Sequence, residues 1–375
     1  MRKVWMVIWV VIIAIVWVGC KERFDPKIPS SQSNYLVVEG FINARGFTTI
    51  KLSRTVAIKD SSKVKPELNA IVTIKGEDNS TFNVRATGKG SYVSDSLILK
   101  PAQKYRLQIK TTTGEYLSEY VAVKQTPLID SISWKYKNSD VEISVNTHDQ
   151  QNNTRYYKWD YEETWEIHSA YMTYYEYKNG AVTPRQSFDE ILKLFYCWRN
   201  ESSQRIIIGS SAQLANDVIS SAPLISIPMH AERFSVRYSI LVRQYSLDRK
   251  GYDFFSMMKS NTESLGSIFD PLPSEVTGNI SCVSNPNEKV IGYIPASTVN
   301  EKRIFISNVP SRFTLDCQPT YVANNRDSFR VYYDMGGLLP YQAEGTPGPI
   351  KGYYSAYPDC VDCTLRGTNV KPSFW

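Results

Sequence analysis

Leu99-Lys100-Pro101-Ala102-Gln103-Lys104-Tyr105-Arg106-Leu107-Gln108-Ile109 decides how the chain is read. From Tyr105 to Ile109 apolar and polar residues alternate, the period of a strand with one buried face. The pattern extends outward. Upstream, Tyr35-Leu36-Val37-Val38-Glu39-Gly40-Phe41-Ile42 is β-rich, and Thr49-Ile50-Lys51-Leu52 alternates after a turn at Arg45-Gly46. Ala70-Ile71-Val72-Thr73-Ile74 alternates again and stops at Gly76. Turn residues recur at Gly88, Gly90, Pro101 and Gly114, about every dozen residues, the rhythm of an all-β sandwich. With 25 Tyr and 8 Trp, the composition also favours strands over helices.

Tyr105 opens its strand shortly after a proline bend, as the tyrosine corner of an immunoglobulin-like sandwich does. A lone core aromatic there suits the same fold. A first β-sandwich is expected over 35–125. Gln125-Thr126-Pro127 reads as a joint, because Pro interrupts strand continuation. A second β series follows over 132–136, 141–145, 155–167, 205–209 and 234–244, with an Asn179-Gly180 hairpin signal between Tyr-rich arms. It places a second β-sandwich over 126–310. Helix is scarce. Asp248 is positioned to cap a helix near 249–263, with Tyr252, Phe255, Met258, Thr262 and Leu265 close to one face. Shorter helical pieces are expected around 189–198 and 212–219. Residues 311–375 are rich in Gly, Pro, Tyr and Cys without clear periodicity, and are expected to pack on the second domain. The expected fold is mostly β: two tandem immunoglobulin-like or fibronectin-like β-sandwich domains, a small helical insertion and an irregular C-terminal tail.

The front of the chain is an address. Arg2 and Lys3 precede an apolar run over 4–18 that Gly19-Cys20 closes. About 15 apolar residues fall short of the ~20 that span a bilayer, and suit a signal-peptide core. A cysteine directly after the cleavage point marks a lipoprotein signal over 1–19, with Cys20 as the lipid attachment site. Trp17 departs from the Leu usual three residues before that cysteine, and an uncleaved anchor helix is the alternative. Residues 20–34, with Pro26 and Pro29, form a polar tether.

A hydrophobic share of 42% and a charged share of 21% describe an ordinary folded chain. The net charge of +6 comes from scattered single Lys and Arg, so no basic block points to nucleic acid. An exported chain can form disulfides. Cys197, Cys282, Cys317, Cys360 and Cys363 are the candidates, and spacing alone leaves their pairing open. Cys360-Val-Asp-Cys363 lacks the helical continuation of a redox motif and the further ligands of a zinc site.

Chemistry is hard to find. The three His (His148, His168 and His230) have no G-x-S-x-G nucleophile motif nearby. Phosphate loops, dinucleotide fingerprints and complete calcium loops are missing from the sequence. No catalytic residue, metal site or cofactor is expected, and the chain reads as a non-enzyme. The aromatic run Trp159, Tyr161, Trp165, Tyr171, Tyr174, with Tyr175 and Tyr177, is the remaining candidate. Facing outward, these rings would form a platform for a glycan, peptide or protein partner. Facing inward, they fill the second core.

The chain resembles a family of Bacteroidota outer-membrane lipoproteins designated domain of unknown function 4249. The resemblance rests on Cys20, the opening strand at 35–42, Gln125-Thr126-Pro127-Leu128-Ile129-Asp130-Ser131-Ile132 and Tyr238-Ser239-Ile240. It continues through Phe269-Asp270-Pro271, Gly278-Asn279-Ile280, Gly292-Tyr293 and Lys371-Pro372-Ser373-Phe374-Trp375. Lys21, Glu22 and Asp25 behind Cys20 resemble a surface-export signal of that phylum. The resemblance implies a lipid anchor in the outer membrane and a surface or periplasm-facing accessory role beside a TonB-dependent transporter in ligand capture or uptake, with the cell surface as the expected face. A surface adhesin, fimbrial-type or glycan-binding lipoprotein is the alternative, and a surface hydrolase a third. The family carries no established catalytic residues to transfer.

Overall fold

Tyr105 is buried, and its hydroxyl accepts a hydrogen bond from the Lys100 amide at 3.0 Å and lies 3.2 Å from Gln103 Oε1. The bend ahead of the strand is thereby tied to the strand it introduces. The computed structural model describes residues 34–56, 64–263, 278–311, 313–345 and 347–375. The expected signal peptide, Cys20, most of the expected tether and Leu265 lie outside the described residues.

The chain is mostly β, with several sheets and few helices. Its first seven principal strands are β1 (Leu36–Gly40), β2 (Thr49–Arg54), β3 (Ile71–Gly76), β4 (Thr81–Gly88), β5 (Ser91–Ser94), β6 (Lys104–Lys110) and β7 (Glu115–Ser118). They run antiparallel in the order β7-β6-β3-β4-β5-β2-β1. Leu36, Val38, Ile50, Leu52, Val72, Ile74, Leu107 and Ile109 fill the core from alternate positions.

The chain continues through β8 (Ile129–Lys137), β9 (Asp140–Asp149), β10 (Tyr156–His168), α1 (Phe188–Phe195), β11 (Tyr196–Ser202), β12 (Asp217–Pro228), β13 (Arg237–Leu247) and α2 (Arg249–Glu263). Next come β14 (Ile280–Cys282), β15 (Val290–Ile291) and β16 (Val299–Ile306). A sheet ordered β8-β9-β12 and one ordered β11-β10-β13-β16 share a second core. The segment expected to be helical over 212–219 is a turn leading into β12. Helix α2 lies where the sequence placed it, and Asp248 Oδ1 accepts a 2.7 Å bond from the Gly251 amide.

Two expectations are corrected. Residues 280–296 pack with the first core, not with the second unit where a division at 125/126 put them. β14 pairs with β7, and β15 pairs in parallel with β1, so one returning segment supplies strands at both ends of the first sheet's order. Ile280, Cys282, Val290, Ile294 and Ala296 then complete that core. The physical reason is edge closure: unpaired strand edges need partners, and this segment covers both. Buried Arg54 secures the return, bonding Glu67 at 2.5 Å and Glu288 at 3.2 Å.

The C-terminal segment is also less irregular than expected. β17 (Thr320–Ala323), β18 (Leu339–Glu344) and β19 (Gly352–Ala356) form a sheet with β19 in the middle. A small core of Val322, Phe329, Tyr333 and Tyr353 receives Tyr175 and Tyr177 from a hairpin, whose turn residues Asn179 and Gly180 have φ of 53° and 78°.

Candidate functional site

The strand β10 decides the fate of the aromatic run. Tyr157, Trp159, Tyr161 and Glu163 point into the second core, while Tyr156, Lys158, Asp160 and Glu162 occupy the opposite face. Trp159 is 1% exposed, stacks on Tyr157 at 5.7 Å and donates from Nε1 to Gln244 at 2.8 Å. Tyr161 and Trp165 are buried as well, with Arg233 standing 4.9 Å from the Trp165 ring. Tyr171 stacks on Tyr341 at 4.3 Å and donates to the Cys317 carbonyl at 2.7 Å. Tyr174 alone of the five is exposed, at 44%. The expected aromatic platform is therefore corrected: period-2 alternation sends its Trp residues inward, and the five side chains do not share a surface.

The cysteines resolve into Cys197–Cys363 and Cys317–Cys360, with Cys282 buried as a free thiol. Burial pushes the Cys282 thiol upward in pKa. Both disulfides tie the C-terminal segment down, one to β11 and one within itself. His148 lies 2.8 Å from Asp130 and His168 2.7 Å from Glu166. Among the described residues, no group of three or more His, Cys, Asp or Glu is arranged to hold a metal ion.

The outward face of β10 lines the cleft that sequence reasoning missed. Gly292 permits it. Its φ is +154°, and a Cβ there would stand 2.3 Å from the Val38 carbonyl oxygen, so only glycine lets the returning segment lie this close to β1. Gly40, at φ +134°, turns the chain directly ahead of Phe41. The Phe41 ring then meets Tyr245 of the second unit edge-on, with centroids 4.8 Å apart.

Helix α2 closes another side. Tyr293 donates to Asp248, with oxygen distances of 2.7 and 2.8 Å, and packs against Phe254 at 5.7 Å. A Cβ on Gly251 would stand 2.8 Å from the Tyr293 ring, so the small residue seats the helix there. Tyr252 meets Tyr156 at 5.0 Å. These contacts join the helix to both units.

What remains between them is a cleft of about 430 Å³. Phe41, Leu247, Phe255, Met258 and Ile291 give it apolar walls, and Lys158 and Asp160 bring charge. Half-buried Lys158 places its ammonium 5.0 Å from the Tyr245 ring centroid and 5.6 Å from that of Phe255. Burial lowers the Lys158 pKa, and Asp160 opposes that shift. Asp160 accepts from the Tyr245 hydroxyl at 2.7 Å and faces Arg243 at 3.6 Å. Burial and the Asp160 charge together raise the Tyr245 pKa, so the hydroxyl stays a donor. A cleft of this size, mainly apolar with few fixed polar groups, can enclose a small organic molecule.

No curated protein matches the chain. Among solved structures, a Bacteroides uniformis protein provisionally described as carbohydrate binding aligns with 57% of this chain and 90% of its own. The TM-score is 0.15 at 7% identity, too low to carry an argument about fold or ligand. The profile of the family described as domain of unknown function (DUF4249) covers residues 21–303, and the chain belongs to that family.

Proposed function

We propose that this protein is a lipid-anchored binding protein of the outer membrane that holds a small amphipathic ligand in the cleft between its first and second cores. The cleft is the observation that carries the reading: about 430 Å³, walled by both units and α2, with aromatic sides and one ammonium. In this reading Cys20 bears the lipid, whose acyl chains contribute roughly 0.8 kcal/mol per buried CH₂. The body is two immunoglobulin-like sandwiches in tandem, and captured ligand passes to a TonB-dependent transporter at the cell surface. The role is capture, without catalysis.

Native mass spectrometry of the full chain, released gently from membranes, tests this. The expected result is a small-molecule adduct that disappears when Met258→Trp fills the cleft. A bare chain in both cases, or an adduct indifferent to the substitution, would contradict the assignment. Circular dichroism on Met258→Trp separates a filled cleft from a failed fold.

A further inference from the structure

The charges that line the cleft are unequally committed. Asp160 already faces Tyr245 and Arg243, and Tyr293 is spent on Asp248. Glu39 is exposed, with Lys51 at 3.8 Å. Lys158 differs from them. Its ammonium stands beside two aromatic rings and makes no hydrogen bond or ion pair among the described residues. Ring faces attract a cation but offer poor acceptors for its three N–H groups. A half-buried ammonium in that position gains most from a partner that brings oxygen acceptors and one negative charge.

We propose that the cleft takes a small organic carboxylate, its oxygens accepting from Lys158 Nζ and its apolar body lying between Phe41, Phe255 and Met258. The inference rests on the reading of the cleft as a ligand site. A monoanion fits better than a phosphate ester. A dianion would bring a second charge beside Asp160 and Glu39, and among the described residues the cleft lining holds no second cation to meet it. A neutral sugar would bring hydroxyl oxygens but no negative charge for Lys158.

Isothermal titration calorimetry on the full chain tests the class with two matched pairs: 4-phenylbutyrate against 4-phenylbutan-1-ol, and octanoate against octanol. The acid of at least one pair is expected to bind about tenfold or more tightly than its alcohol, the size of a charge-assisted hydrogen bond. Lys158→Met should bring acid and alcohol to within about twofold by weakening the acid alone. Lys158→Arg should keep part of the preference, and thermal unfolding of each variant reports on folding. Equal binding of acid and alcohol, or a preference that survives Lys158→Met, overturns the carboxylate assignment and leaves the cleft as a binding site. If none of the four probes binds, both fail.

Discussion

Lys158 and Trp159 are neighbours in sequence that serve opposite faces of β10. Their alternation is visible in Tyr156-Tyr157-Lys158-Trp159-Asp160-Tyr161-Glu162, but which face meets water is not. Aromatic rings with polar tips suit a platform or a core equally well, and the sheet behind β10 settles the matter. Cysteines were legible as disulfide candidates, whereas Cys282 gave no sign that it would be the one left free. Arg54 was equally silent. It is 7% exposed and holds Glu67 and Glu288, residues far apart in the sequence. Arg54→Ala would leave those carboxylates without their cation in a largely buried setting. The expected cost is about 3–5 kcal/mol in urea unfolding, and a loss below about 1 kcal/mol would show that the network contributes little to closing the first sheet.

Helix α2 and the strands with clear alternation were readable, because periodicity is a local property. β12 was not. Asp217-Val218-Ile219-Ser220-Ser221-Ala222-Pro223-Leu224 carries serines and a proline that weaken the strand signal, yet β12 lies at the edge of its sheet, where proline is tolerated. The C-terminal strands are 4–6 residues long and separated by Gly and Pro, too short for alternation to declare itself. Their stability draws on cross-links. Cys317–Cys360 closes a separation of 43 residues, and replacing both by Ala is expected to cost about 2–4 kcal/mol. Peptide mapping under non-reducing conditions should return Cys197–Cys363 and Cys317–Cys360, with Cys282 alkylated only after unfolding. A disulfide that includes Cys282 would contradict the buried-thiol assignment.

The whole molecule is organised by a segment that comes back. Residues 280–296 leave the second unit's stretch of sequence, complete the first sheet and pass beneath α2. Long-range pairing of this kind has no local signature, so the cleft it creates was invisible from sequence, although Gly292-Tyr293 stood out as a motif. Gly292 allows the close approach to β1, and Tyr293 anchors the helix, so the pair shapes the cleft that both residues also line. Under the proposed function this seam is occupied in the working protein. A crystal structure of the full chain purified from the cells that make it measures that directly. The expected result is density for a small organic molecule, with an oxygen about 2.7–3.2 Å from Lys158 Nζ. A cleft holding only water, or one filled by the side chain of Phe255, would contradict it.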